Sequence, residues 1–112
     1  PPMTDLNQLK TIVIDALEDM KAKDIVVLDV KPLTSIADLM IVASGTSNRH
    51  VRSIADRLRE KVREGGFKPL GTEGESDAEW VLVDLGDIIV HIFLPDSRRF
   101  YDLEKLWSMS PG

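Results

Sequence analysis

Four groups of side chains in this 112-residue chain are of types that do chemistry. The first is Ser44-Gly45-Thr46-Ser47, set between an apolar run and a stretch of helical periodicity. Backbone N–H groups at a helix start can hold a phosphate or another anion. The segment has neither the G-x-x-x-x-G-K-S/T spacing nor the G-x-G-x-x-G fingerprint of nucleotide-binding loops. Capping of the helix by Thr46 or Ser47, with Gly45 making the turn, accounts for the same residues.

The second group is Asp38, Asp84 and Asp87. A Mg²⁺-dependent phosphoryl transferase needs two or three acids converging on the metal. Asp84 and Asp87, however, stand on either side of a turn, where Asp is an ordinary turn former. The third group pairs His91 with Asp84, which could face one another across a hairpin as a general base and its orienting acid. The chain has one other histidine, His50, no cysteine and no serine in a G-x-S-x-G elbow, so a strand histidine packed in the sheet is the simpler reading. The fourth is the basic series Arg49, His50, Arg52, Arg57, Arg59, Lys61 and Arg63, interleaved with Asp56, Glu60 and Glu64. Most of that charge can pair locally at i,i+3 and i,i+4, and only Arg49 and Arg52 lie near enough to the helix start to meet a phosphate. None of the four builds an enzyme, and no cofactor or metal is implied.

The elements that must position these residues follow from periodicity. Leu6, Leu9, Val13, Ala16, Leu17 and Met20 form one helical stripe, with Thr4 or Asp5 as its cap. Ile25–Val30 reads as a strand ended by Lys31-Pro32. After a loop over Leu33–Ala37, Asp38 leads into a strand at Leu39–Ala43. Val51, Ile54, Ala55, Leu58 and Val62 mark a second helix that Gly65-Gly66 stops. Phe67–Leu70 is a short strand placed at an edge or a strand end because it contains Pro69, and Gly71–Glu79 is a polar, solvated loop. Trp80–Leu85 and Ile88–Leu94 flank Gly86-Asp87 and form a tight hairpin. Pro95-Asp96-Ser97 introduces one last helix carrying Phe100, Leu103, Leu106 and Trp107.

The order α-β-β-α-β-β-β-α predicts an α/β (α+β) class: a mixed five-stranded sheet flanked by helices. The second helix joins two parallel strands, and the hairpin pair is antiparallel. Apart from Asp84 and His91 the hairpin arms carry no polar side chain, so both of its faces need cover. One face can lie on the chain's own helices; the other is covered too or offered to a partner. Trp80 favours an offer, since Trp is a common interface anchor.

Composition narrows the partner. With 14 basic against 19 acidic residues the net charge is −5, which speaks against direct nucleic-acid binding and suits docking on a basic protein. No segment approaches the roughly 20 apolar residues of a membrane span. The absence of cysteine and of a signal-like start fits a single cytoplasmic domain, with Pro1-Pro2 an expression remnant before a native start at Met3.

Several spaced blocks carry a resemblance. Ala37–Ser47 (ADLMIVASGTS), Arg49-His50-Val51, Trp80–Asp87 (WVLVDLGD) with Val90-His91, and Arg99–Tyr101 with Leu103-Glu104 and Leu106-Trp107 resemble the ribosomal silencing factor family, also called Iojap-like proteins. The resemblance runs from the first helix to Trp107. It implies a nucleotidyltransferase-like fold without the enzymatic activity. It also implies binding to the large ribosomal subunit through ribosomal protein L-fourteen, a block to subunit joining, and lowered translation when nutrients are scarce. Contact with ribosomal RNA would be incidental. Within the matching blocks the partner surface is expected at Trp80, Leu82 and Asp84, which alternate to one strand face, with His91 and Phe93 beside them. The apolar hairpin would also permit a homodimer of the free protein. The alternative is a small nucleotide-binding or nucleotidyl-transferring enzyme using Gly45-Thr46-Ser47 with Asp84 and Asp87; convergence of those acids on one point would favour it.

Overall fold

The computed structural model describes residues 5–108. Its elements are α1 (Asp5–Asp19), β1 (Lys23–Asp29), β2 (Leu39–Ser44), α2 (Asn48–Glu64), β3 (Gly71–Glu73), β4 (Trp80–Asp84), β5 (Ile88–Phe93), α3 (Pro95–Tyr101) and α4 (Leu103–Trp107). The sheet order is β1-β2-β5-β4-β3. β2 and β5 run parallel, and the other three pairings are antiparallel. Two antiparallel steps separate β5 from β3, so β3 is parallel to β2, as expected of strands joined by a crossover helix. The mixed five-stranded α+β architecture is as the sequence predicts.

β5 sits in the middle of this sheet and is apolar on both faces except for His91. Ile88, Val90 and Ile92 join Ile41, Ala43, Val81 and Val83 on the first face. That face is covered by the buried stripes of α1 (Leu9, Val13, Ala16, Leu17) and α2 (Val51, Ile54, Ala55, Leu58, Val62). The second face carries a smaller core of Val30, Ala37, Met40, Val42 and Phe93. Leu103 and Trp107 of α4 pack against it, with Leu28, Trp80 and Ile89.

Local chemistry explains the joints. Ser47, extended at φ −154°, caps α2 by accepting the His50 N–H at 3.1 Å. Gly45 is required by close approach, since a Cβ there would stand 2.8 Å from Val51 Cγ2. The hairpin turn has Gly86 at φ +89°, the Leu85 N–H bonded to Ile88 O at 2.9 Å, and Asp84 Oδ1 accepting the Gly86 N–H at 2.9 Å. Thr4, the other candidate cap of α1, lies outside the described residues, as do Pro1, Pro2 and Met3.

Three expectations are corrected. The edge strand is not Phe67–Leu70 but Gly71–Glu73. Pro69 has no N–H to give a ladder, and the Phe67 N–H is used on Val62 O to close α2. The segment after it is not simply solvated, because α2 pins it. Asn48 Nδ2 donates to Asp77 O, and Arg52 donates to Glu75 O and Ser76 O at 3.0 and 2.7 Å. Arg59 reaches Thr72 Oγ1 and the Glu75 carboxylate. Third, the last helix is two. Asp102 takes the left-handed conformation (φ 47°, ψ 52°) and breaks it, leaving Phe100 and Leu106 exposed and not on a buried stripe.

The pinned loop delivers β4 through Gly74, which has φ +87° and would place a Cβ 2.1 Å from Trp80 O. Gly66 shares the positive φ, +90°, but a Cβ there meets nothing within 4 Å. Gly66→Ala should therefore cost about 1 kcal/mol, the left-handed strain of an L residue alone. Gly74→Ala should cost roughly 3 kcal/mol or more, because strain and a backbone clash add. Urea unfolding of the two variants checks the difference; equal losses would show that the Trp80 carbonyl yields freely.

Candidate docking face

Register places all five expected partner-facing residues on the second face of the sheet. Trp80 lies opposite Phe93 and Leu82 opposite His91, while Asp84 lies opposite Ile89. The suggested Asp84–His91 pair is thus not formed as a direct cross-strand pair: the two are two residues out of register. Asp84 also spends one carboxylate oxygen on the Gly86 N–H. β4 alternates between half-buried (Trp80, Leu82, Asp84) and buried (Val81, Val83) residues. His91, at 4% exposure, and Phe93, at 0%, lie beneath that surface.

An aromatic cluster organises this face. The Trp80 ring stacks on Phe93 at 5.1 Å and lies 5.9 Å from His91. Tyr101 of α3 covers it at 4.6 Å. The Trp80 indole N–H donates to His91 Nδ1 at 2.9 Å. An indole nitrogen can only donate, so His91 Nδ1 is unprotonated and the neutral ring carries its proton on Nε2. That Nε2 is buried with no hydrogen-bond partner. Burial drives the His91 pKa down from 6.5 to about 4, since the imidazolium would lose its hydration.

Arg98 ties α3 to the end of β2 and to α4, its guanidinium donating to Ser44 Oγ and to Glu104 Oε1, both at 2.8 Å. Sequence reasoning missed Arg98 and Tyr101 as parts of the site. The aromatic spacing Trp80, Phe93, Tyr101 was visible, but which rings meet depended on the break at Asp102.

Residues of the other constellations make structural contacts. At the start of α2 the Thr46 N–H donates to His50 Nδ1 at 2.9 Å, and His50 Nε2 donates to Met20 O at 2.8 Å. His50 therefore ties the end of α1 to the start of α2, and with Ser47 it uses N–H groups that an anion would need. Arg52 holds the loop after β3, and Arg49 is exposed. Among the described residues no group of three or more His, Cys, Asp and Glu is placed to share a metal ion.

The geometry defines a small α+β domain with one sheet face sealed by helices and an aromatic-centred, half-covered second face. The chain belongs to the ribosomal silencing factor family, whose model, described as ribosomal silencing factor during starvation, matches residues 3–112. It is 47% identical over 103 residues to the ribosomal silencing factor of Chromobacterium violaceum, covering 92% of this chain and 84% of that one. The corresponding figure for Haemophilus influenzae is 44% over 100 residues, covering 89% and 98%. A mouse protein named for mitochondrial assembly of the ribosomal large subunit is 32% identical over 103 residues, covering 88% of this chain and 44% of its own length. A crystal structure of a Chromobacterium violaceum protein superposes with a TM-score of 0.91 at 44% identity, covering 97% of this chain and 92% of that one.

The lowered His91 pKa carries a sign. Between pH 6.5 and about 4 the unfolded chain holds the His91 proton and the folded chain does not, so stability falls as pH falls through that window and levels off below it. The His91 share of the loss is about 3 kcal/mol by linkage. His91→Phe should flatten the pH dependence of urea unfolding between pH 7 and 4 relative to the parent. A parallel pair of curves would mean that His91 does not titrate in the folded chain as described.

Proposed function

We propose that this chain binds the large ribosomal subunit through ribosomal protein L-fourteen, prevents the small subunit from joining, and so lowers translation when nutrients are scarce. Family membership across residues 3–112 carries the reading. The mouse relative is named for the large subunit of the mitochondrial ribosome, which supports the choice of subunit. A net charge of −5 supports attraction to a basic ribosomal protein.

Trp80, Leu82 and Asp84 form the contact surface of this proposal. His91 and Phe93 act from beneath: Phe93 stacks under the indole, and His91 Nδ1 consumes its N–H. A Trp immobilised before contact loses little further freedom on binding, which is how a hot-spot anchor gains affinity. The described residues measure 40 × 38 × 21 Å. A body at least 21 Å thick on a surface that must meet the small subunit closely blocks joining by volume alone, without catalysis. In this proposal the chain acts by docking, in the cytoplasm, and not by group transfer.

Purified protein is expected to co-sediment with isolated large subunits and not with small ones; sedimentation with neither, or with the small subunit alone, overturns the proposal. Trp80→Ala should weaken large-subunit binding by roughly 2 kcal/mol, about thirtyfold. Because Trp80 also packs on Phe93 and Tyr101, Leu82→Ala serves as a second reporter on the same face, with a loss of roughly fivefold expected. Folded variants that both bind like the parent would remove this face from the interface. Incubation with labelled nucleoside triphosphates and Mg²⁺ is expected to give no transfer to an acceptor; transfer lost in Asp84→Ala would reinstate the enzyme reading.

A further inference from the structure

Beside the Trp80 cluster lies a groove of about 730 Å³, lined among others by Glu79, Leu94, Pro95, Asp96, Phe100 and Tyr101. None of its lining residues is basic. Phe100 is 81% exposed and Tyr101 49%, and their rings meet edge to face at 5.0 Å and 89°. A Phe so exposed on a seven-residue helix contributes little to the fold's own core. Asp96 already pairs with Arg99 on the same helix, whereas Glu79 has no ion-pair partner among the described residues. Two aromatic rings and an uncompensated carboxylate around one groove are the recognition chemistry of a guanidinium: the rings attract a cation over their faces, and the carboxylate accepts its N–H fork.

We propose that this groove receives an arginine side chain from an exposed loop or tail of the protein partner. The proposal rests on the docking reading above and names the chemistry of the partner segment that flanks Trp80. Charge decides against the rival occupant, a single-stranded RNA stacking its bases on Phe100 and Tyr101. RNA would bring phosphates against Glu79 and Asp96, and RNA-stacking platforms are set in basic grooves. Here the local and the overall charge are both negative.

The test uses the full chain, labelled with ¹⁵N, and three probes: a nonapeptide of alternating glycine and arginine, its citrulline analogue, and oligouridylate. The arginine peptide should shift the amides of Glu79, Leu94, Phe100 and Tyr101, and the other two probes should not. In parallel, Glu79→Gln and Phe100→Ala, both at exposed positions that leave no cavity, should keep the parent's melting temperature and lower affinity for isolated large subunits roughly tenfold each. Equal shifts with citrulline, larger shifts with RNA, or no arginine-dependent shift overturns the proposal whatever the subunits do. If the parent binds large subunits and both variants bind equally well, the arginine groove falls while the docking reading stands. If the parent binds no subunit, the docking reading falls and the peptide titration alone decides the groove.

Discussion

β5 has no polar face to show to water, and that constraint shapes the whole domain. Its neighbours, parallel β2 and antiparallel β4, satisfy its backbone, which leaves two apolar surfaces to cover. The first is sealed by α1 and α2, each contributing a continuous buried stripe. The second is covered unevenly: Phe93 lies under Trp80, and α4 packs on the core around Met40 and Val42. Leu82, Asp84 and Ile89 remain half-buried. An apolar face finished to that degree keeps the chain folded and leaves the contact area that the proposed docking would use.

In the docking proposal Trp80 serves both demands. Its ring is fixed by a stack below, a ring above and a hydrogen bond to His91. The His91 bond has a cost: it leaves Nε2–H buried without an acceptor, a penalty of about 1–3 kcal/mol for a neutral group. A stability optimum would put an apolar ring there. Retaining a histidine that orients the indole accords with a site where the geometry of Trp80 matters more than the last increment of stability.

The charged residues of α2 divide by partner into those that tie the helix to another segment and those that pair within it. Arg57–Glu60 and Lys61–Glu64 are i,i+3 pairs on open surface and contribute little. Arg59 is largely buried and joins α2 to Thr72 and Glu75, and Arg52 holds two backbone carbonyls of the same loop. These contacts set where β4 begins, and therefore where Trp80 sits. Both partners of Arg52 are carbonyl oxygens, which every residue carries, so no pattern of side chains announces those bonds.

What the sequence determined by itself is the set of elements whose signal is local. The stripes of α1 and α2, the Gly86-Asp87 hairpin and the helix stop at Gly65-Gly66 each depend on residues within one or two turns, and all stand as read. Alternation along β4 likewise sent Trp80, Leu82 and Asp84 to one face. Tertiary structure decided the rest. β3 moved past Pro69 because the Phe67 N–H was claimed by α2 and the backbone at Gly71 found β4. The last helix broke at Asp102 in a left-handed conformation that helical spacing cannot reveal. That break placed Tyr101 on Trp80 and left Phe100 in solvent. His91 and Phe93 lie buried beneath Trp80 and not at the surface, because depth depends on what other elements lie over a strand, and no local pattern encodes the cover.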